Sequence, residues 1–285
     1  MSRTKKLVAV KAAASSLFLG LIGCGKIESP SDKSDIKVTN GLSAANEYPS
    51  VVMLQFQVEG GSAICTGTFV NDAQVVTAAH CVHELLSSGA EASAVSIVKS
   101  NKDGSKTRVA ATHMEHNPDY AVVEGSLDNH DVAVVTFPRN TAPGVTPLYA
   151  GQPTKGQTFT IVGFGLNNYA YGSHGEQTGN GSGVKRKGQN QIEEVAEGMI
   201  RFYGVPSASD RSVPLGQESA SGSGDSGGPL LINGALAATT AGGGLAQGKD
   251  ASGRLVTVKV SNYIDLHEPS NQEFLRSALR STPGW

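Results

Sequence analysis

The feature that most restricts this chain is a succession of short apolar runs, none long enough for a packed helix, each closed by a turn residue. They lie at Val51–Val58, Gly67–Val70, Gln74–Thr77, Ala94–Lys99, Arg108–Met114, Val132–Phe137, Gln157–Phe164, Glu194–Tyr203, Leu230–Ile232, Gly234–Ala241 and Leu255–Val260. Each is partly β-branched or aromatic and is bounded by Gly, Pro, Asn or Asp, which is how strands and their turns read in sequence. Spacing this close points to an all-β barrel or sandwich. One helix is predicted, near the carboxyl end, with Asn271 as its cap and Phe274, Leu275, Ala278 and Leu279 on one stripe. Residues 165–191 carry seven glycines and few apolar residues, so they read as one long surface loop, with Lys185-Arg186-Lys187 in a solvated turn.

Composition removes several functions. With 23 Lys+Arg against 25 Asp+Glu, the chain has no basic excess to neutralise phosphates, so nucleic acid is not an expected partner. At 39% hydrophobic it can build a core, which excludes a disordered chain. No repeat of solenoid length is present.

The amino-terminal residues are set apart from the fold. Arg3, Lys5, Lys6 and Lys11 open a mostly apolar stretch that ends Leu21-Ile22-Gly23-Cys24. It is too short for a membrane span and has the build of a secretory signal. Its end resembles the bacterial lipobox, which implies a signal over residues 1–23, lipidation of Cys24, and an outer-membrane lipoprotein facing the periplasm or the surface, with plain secretion as the alternative. Removing residues 1–23 takes away four bases and no acid, leaving 19 against 25 and a charge of −6, so membrane attachment is expected through lipid alone. Residues 24–37 read as lipidated cysteine, polar tether and propeptide, and residues 38–285 as the folded domain. Of the three cysteines, acylation would use Cys24 and leave Cys65 and Cys81 to pair in an oxidising compartment.

Three short segments carry chemistry. Ser226 lies in Gly224-Asp225-Ser226-Gly227-Gly228-Pro229, where glycines permit close backbone approach to a ligand. A serine hydroxyl is a weak nucleophile until a base takes its proton. Thr77-Ala78-Ala79-His80-Cys81 supplies that base after a strand, and Asp131 opens the run Val132–Phe137, ahead of Asp128 and Asp119 as the acid to orient His80. The Gly-x-Ser-x-Gly pattern of the α/β-hydrolases also fits formally. It requires a helix after the serine, which Gly227, Gly228 and Pro229 oppose, and a later Asp and His in only 59 remaining residues.

The segments and their order resemble the trypsin/chymotrypsin family of serine endopeptidases over residues 38–265. The resemblance implies two six-stranded antiparallel β-barrels with a short C-terminal helix, a site in the cleft between them, and no cofactor. It implies His80, Asp131 and Ser226 as the triad, the N–H groups of Gly224 and Ser226 as the oxyanion hole, and protein or peptide as substrate. Val38-Thr39-Asn40-Gly41 resembles the family's new amino terminus. That implies a zymogen cut after Lys37, with a separate trypsin-like protease as the activator, and a freed Val38 amine that pairs with Asp225. The family's specificity pocket maps to Ala220, Ser221, Ala241, Gly242, Gly243 and Leu255. Ala220 replaces the acid that would bind Lys or Arg, so a small to medium apolar P1 residue is expected. The histidines at 83, 113 and 116 lack the companions of a metal site, and none is expected. The competing function is a catalytically silent binding module on the same fold.

Overall fold

The computed structural model describes residues 38–58, 61–100, 105–166, 170–171, 177–178, 181–205, 213–249 and 253–280. The expected signal and tether, with Cys24 and Lys37, lie outside the described residues. After a short β1 (Leu42–Ser43), the first half contributes β2 (Val51–Val58), β3 (Gly61–Phe69), β4 (Gln74–Thr77), helix α1 (His80–Ser87), β5 (Val95–Ser100), β6 (Lys106–Ala110), β7 (His113–His116) and β8 (Ala133–Thr136). The second half begins with β9 (Thr158–Gly163), the small pair β10 (Ala170–Tyr171) and β11 (Gln177–Thr178), β12 (Arg186–Gln191) and β13 (Glu194–Ala196). It ends with β14 (Met199–Gly204), β15 (Pro229–Ile232), β16 (Ala235–Lys249), β17 (Leu255–Asp265) and helix α2 (Pro269–Ala278).

The strands form two antiparallel sheets, ordered β6-β5-β2-β3-β4-β8-β7 and β1-β12-β9-β15-β16-β17-β14-β13. Each closes on itself by one bent strand. The edges β6 and β7 are joined by Ala111 and Thr112, whose N–H groups donate to Val95 O and Thr136 O on opposite sides. Ile192 and Glu193 join β12 to β13 in the same way, donating to Gln157 O and Arg201 O. Counting each bent strand once gives two six-stranded barrels, with β1 as a short addition, as the resemblance implied.

Alternation along the strands sorts the apolar side chains. Val75, Ala133 and Val135 fill the first barrel with Leu54, Phe69 and Ile97. Ile161, Leu230 and Ile232 fill the second with Phe159, Phe202 and Tyr263. Their neighbours Val76, Val132, Val134, Val162 and Leu231 point the other way and pack between the barrels with Phe274 and Leu275 of α2. Strands buried on both faces read as continuous apolar runs, which is why these were conspicuous.

Several local expectations are corrected. The run 108–114 is two strands, because its middle residues cross between sheet edges. Glu194–Tyr203 is a hairpin, with Glu197 and Gly198 both at positive φ in its two-residue turn. Residues 165–191 are not one loop: Arg186–Gln191 is a full strand paired with Thr158–Gly163, and Arg186 is buried rather than solvated. Polar residues hid this strand. The α2 cap is Glu268, whose carboxylate accepts the Asn271 N–H (3.1 Å), with Pro269 in the first turn. Asn271 is buried within the helix. Its Nδ2 donates to Asn129 O (2.9 Å), and its Oδ1 accepts from Asn117 Nδ2 (2.9 Å). With Gln74 Nε2 donating to Ala278 O (2.8 Å), these bonds strap α2 across the first barrel.

Cys65 and Cys81 form a disulfide across a sequence separation of 16 residues. Closing a loop of that size is worth about 3 kcal/mol. The double variant Cys65→Ser/Cys81→Ser should lose that much stability in urea unfolding; a loss under about 1 kcal/mol would refute the estimate.

Candidate active site

His80 and Asp131 meet because their strands are neighbours. In the β4–β8 register Thr77 faces Ala133, so the chain leaving β4 and the chain entering β8 lie at the same end of the sheet. His80 is the first residue of α1, and no side chain from its own segment caps that helix. Asp131 does so from across the sheet: Oδ1 accepts the His80 backbone N–H (2.8 Å), and Oδ2 lies 2.7 Å from His80 Nδ1. An acid is favourable at a helix N-terminus, so one carboxylate fixes both the backbone and the ring of His80. Partial burial lowers the His80 pKa, but the charge and hydrogen bond of Asp131 outweigh it and leave the net shift upward. The other two acids are occupied elsewhere. Asp119 accepts from Ser270 Oγ (2.6 Å), and Asp128 binds the backbone N–H and ring of His130 (2.7 and 3.0 Å).

Ser226 is half-buried and comes from the second barrel. Its carbonyl accepts the Thr66 N–H of β3 (2.8 Å). The next residue, Gly227, has φ +74, and a Cβ there would stand 2.0 Å from Thr77 Oγ1 and 2.6 Å from Ala78 N. The segment bearing Ser226 is therefore pressed against the residues that lead into His80. Gly224 has φ +95, a conformation that L side chains resist, and its carbonyl accepts from Thr66 Oγ1 (2.9 Å). Thr66 was not singled out in the sequence. It also accepts the Phe164 N–H (3.2 Å) and receives Thr77 Oγ1 at its carbonyl (2.9 Å), so it pins the serine loop to the first barrel. A threonine in a β-rich segment carries no local sign of such a role.

Asp225 is buried, with Oδ1 accepting the Gly165 N–H (2.7 Å) and Oδ2 the Gly222 N–H (2.8 Å). Burial pushes its carboxyl up to about 6, against the pull of those N–H groups and of Arg186 and Lys259. Burial also brings the Lys259 amine down to about 7, with Asp225 opposing.

The expected pocket residues are not all together. Ala220 and Ser221 are buried, and Ser221 donates its N–H and Oγ to Ser261 Oγ (3.0 and 3.1 Å). Ala241 is buried at a bulge in β16, and Gly242 and Gly243 follow it opposite Asn262 and Ser261. Leu255 is corrected: it is 66% exposed at the far end of the β16–β17 hairpin, opposite Lys249. Ser261 and Tyr263, on one face of β17, take the inner position, with Tyr263 hydrogen-bonded to Ser221 and Thr240. Leu127 covers Gly242, its Cδ2 lying 3.3 Å from where a Cβ would be. The expected bulk opposite the glycines thus comes from the loop before Asp131. Among the described residues one cluster has metal-like spacing, Cys65, His80 and Cys81, and the disulfide consumes both of its sulfurs.

A protein-family model described as Trypsin matches residues 39–266. The chain belongs to the trypsin family. Trypsin-family resemblance thus holds across both barrels. Phenoloxidase-activating factor 1 of Holotrichia diomphalia is 27% identical over 224 residues, 68% of this chain but 58% of the factor, so the chain spans less than two thirds of that relative. An uncharacterized peptidase of Corynebacterium glutamicum (strain R) is 25% identical over 270 residues, 94% of this chain and 80% of its own. Human kallikrein-8 is 27% identical over 265 residues, covering 90% and 94%. Among solved structures, neuropsin, a serine protease expressed in the limbic system of mouse brain, superposes with a TM-score of 0.55. It covers 82% of this trypsin-family chain and 98% of its own, at 19% identity, a likeness of fold.

Proposed function

We propose that this chain is a serine endopeptidase that cleaves peptide bonds through an acyl-enzyme on Ser226. The observation that carries the reading is the double hold of Asp131 on His80. With Nδ1–H donated to Asp131, His80 Nε2 is left as the acceptor. It takes the Ser226 Oγ proton as Oγ attacks the peptide carbonyl carbon. The N–H groups of Gly224 and Ser226 receive the oxyanion. His80 then returns the proton to the leaving amine, and a water activated by the same nitrogen hydrolyses the ester. The positive φ of Gly224 and the bond from Thr66 to its carbonyl support an N–H turned into the site.

Ala220 beside the Ser221–Ser261 pair gives the P1 position no acid to receive a lysine or arginine, and burying an unpaired cation is costly. Leu127 against Gly242 and the buried Ala241 favour a small to medium apolar P1 side chain. Maturation after Lys37 by a trypsin-like protease would free the Val38 amine. The lipobox-like end at Cys24 would hold the enzyme at an outer membrane by lipid.

A fluorophosphonate probe tests the reading. Ser226 should be labelled in the native protein and unlabelled after His80→Ala; labelling indifferent to His80 would leave the binding-module alternative standing. The pH profile gives a second check. Activity needs neutral His80, whose pKa is raised, so the acid limb of kcat/KM should lie above pH 6.5. Asp131→Asn removes the charge that raises it, so that limb should move to lower pH. kcat should fall by about 10⁴, the loss known for this exchange in the family's type enzyme. An unmoved limb would detach Asp131 from His80.

A further inference from the structure

His83 and His116 are 33 residues apart in sequence, yet His83 Nδ1 lies 3.1 Å from His116 Nε2. Neither ring takes part in the proposed hydrolysis. His83 stands one turn after His80 in α1, its backbone N–H donating to Ala79 O (2.8 Å). His116 ends β7, opposite Ala133 of β8. Read along the chain, each histidine lacks a companion; the packing of α1 on β7 makes each the companion of the other. Both are half-buried, so water and small solutes reach them.

The ring protons are fixed from one side and adjustable from the other. His116 Nδ1 lies 2.8 Å from Asn117 O. A carbonyl oxygen only accepts, so Nδ1 carries the hydrogen and Nε2 presents its lone pair to His83. Beyond His83, Ser87 Oγ lies 3.4 Å from Nε2. A hydroxyl donates or accepts. His83 can therefore carry its hydrogen on Nδ1 and donate it to His116, or carry it on Nε2 and donate it to Ser87. In the second tautomer two lone pairs face one another, which is favourable only with a cation between them.

The spacing fits a metal ion. With metal–nitrogen bonds of about 2.0–2.1 Å, donors 3.1 Å apart subtend about 95–100° at the ion, between the right angle of a square or octahedral site and the tetrahedral angle. A backbone carbonyl behind the ring, as Asn117 O is behind His116, is the usual partner that orients a ligating histidine. The surroundings are stiff. Tyr120 lies edge-on to both rings, with centroids 5.3 Å from His83 and 5.5 Å from His116. Asn117 is buried, its N–H donating to Val132 O (2.9 Å) and its Nδ2 to Asn271 Oδ1 (2.9 Å). Little has to move to admit the ion beyond one hydrogen passing from Nδ1 to Nε2 of His83.

We infer that His83 and His116 form a two-histidine site for a divalent transition-metal ion of the imidazole-binding class, Cu²⁺, Ni²⁺ or Zn²⁺, with water completing the coordination. Ca²⁺ and Mg²⁺ take oxygen ligands and are disfavoured by a pair of ring nitrogens. The bound ion bridges α1, which begins at His80, to β7, whose partner β8 follows Asp131. This site stands independently of whether Ser226 is a nucleophile.

The test uses the full chain, stripped of metal with EDTA and titrated at neutral pH. Cu²⁺ should bind at one ion per chain and more tightly than Ni²⁺ or Zn²⁺, while Ca²⁺ should not bind. The electron paramagnetic resonance spectrum of the Cu²⁺ form should show two imidazole nitrogens. Excess Zn²⁺ should raise the urea-unfolding midpoint, because it binds the folded chain in preference to the unfolded one. His83→Gln and His116→Gln should each weaken Cu²⁺ binding by about 10²-fold or more, since even a group that only supports a ligand is worth up to that factor. Both should also abolish the Zn²⁺ shift. His113→Gln, on the same strand, and His80→Ala should leave Cu²⁺ binding in place. A Cu²⁺ spectrum with fewer than two imidazole nitrogens in the unsubstituted chain would overturn the inference, and that measurement requires no variant to fold. Binding that survives His83→Gln and His116→Gln would overturn it too, as would binding lost in His80→Ala, which would put the ion at His80 instead.

Discussion

Replacing Ser226 with alanine is expected to lower kcat for a fluorescent casein substrate by about 10⁶-fold, the order found when a triad serine is removed from an unrelated serine protease. His80→Ala should cost nearly as much. The double variant should cost no more than either alone, because the two groups act on one proton and removing either ends the transfer. Stability should barely move. Ser226 is half-buried and His80 keeps 34% of its side chain exposed, so truncation opens no large cavity. Turnover measured beside urea unfolding separates the cases: an inactive enzyme with an unchanged unfolding midpoint supports the proposed chemistry. Losses that simply add in the double variant would mean that Ser226 and His80 do not work as a unit.

Gly227→Ala should have the opposite signature, a large loss of stability with activity falling as a consequence. The added Cβ would meet Thr77 Oγ1 at 2.0 Å and two backbone atoms, Ala78 N and Thr66 O, at 2.6 Å. One backbone atom lies in β3 and the other just past the end of β4, and neither can swing aside as a side-chain tip can. The φ of +74 adds its own penalty for an L-residue. Overpacking and strain together suggest about 2–5 kcal/mol. Urea unfolding measures it directly. A midpoint within error of the parent would show that the serine loop is not wedged against the residues that lead into His80.

What could be read before the fold was known follows a physical line. The strands buried on both faces, Val132–Phe137 and Leu230–Ile232 among them, announced themselves because they are apolar except for the β-branched Thr136. His80, Asp131 and Ser226 were picked from three short segments by residue type and order; the structure brings Asp131 to His80 and presses Gly227, next to Ser226, against Thr77 and Ala78. The Cys65–Cys81 pairing was reached by expecting Cys24 to be acylated, and the structure forms that bridge. What escaped notice depends on register. Arg186 reads as one base among three until Gly163 is seen opposite it. Leu255 reads as a pocket residue until the length of the β16–β17 hairpin carries it away, leaving Ser261 and Tyr263 in its place. Thr66 holds the serine loop with ordinary strand chemistry, and only its partners, distant in sequence, give it meaning. Helix α1 was missed because the acid capping it lies 51 residues downstream.

The strap of α2 makes the first barrel depend on residues that follow the second one in sequence. Asn271 Nδ2 holds the carbonyl of Asn129, two residues before Asp131, and Ala278 O receives Gln74 Nε2 at the start of β4. Loosening this helix would therefore slacken both strands that carry the chain to His80 and Asp131, and damage at one end of the polypeptide would be felt at a seat built near its other end.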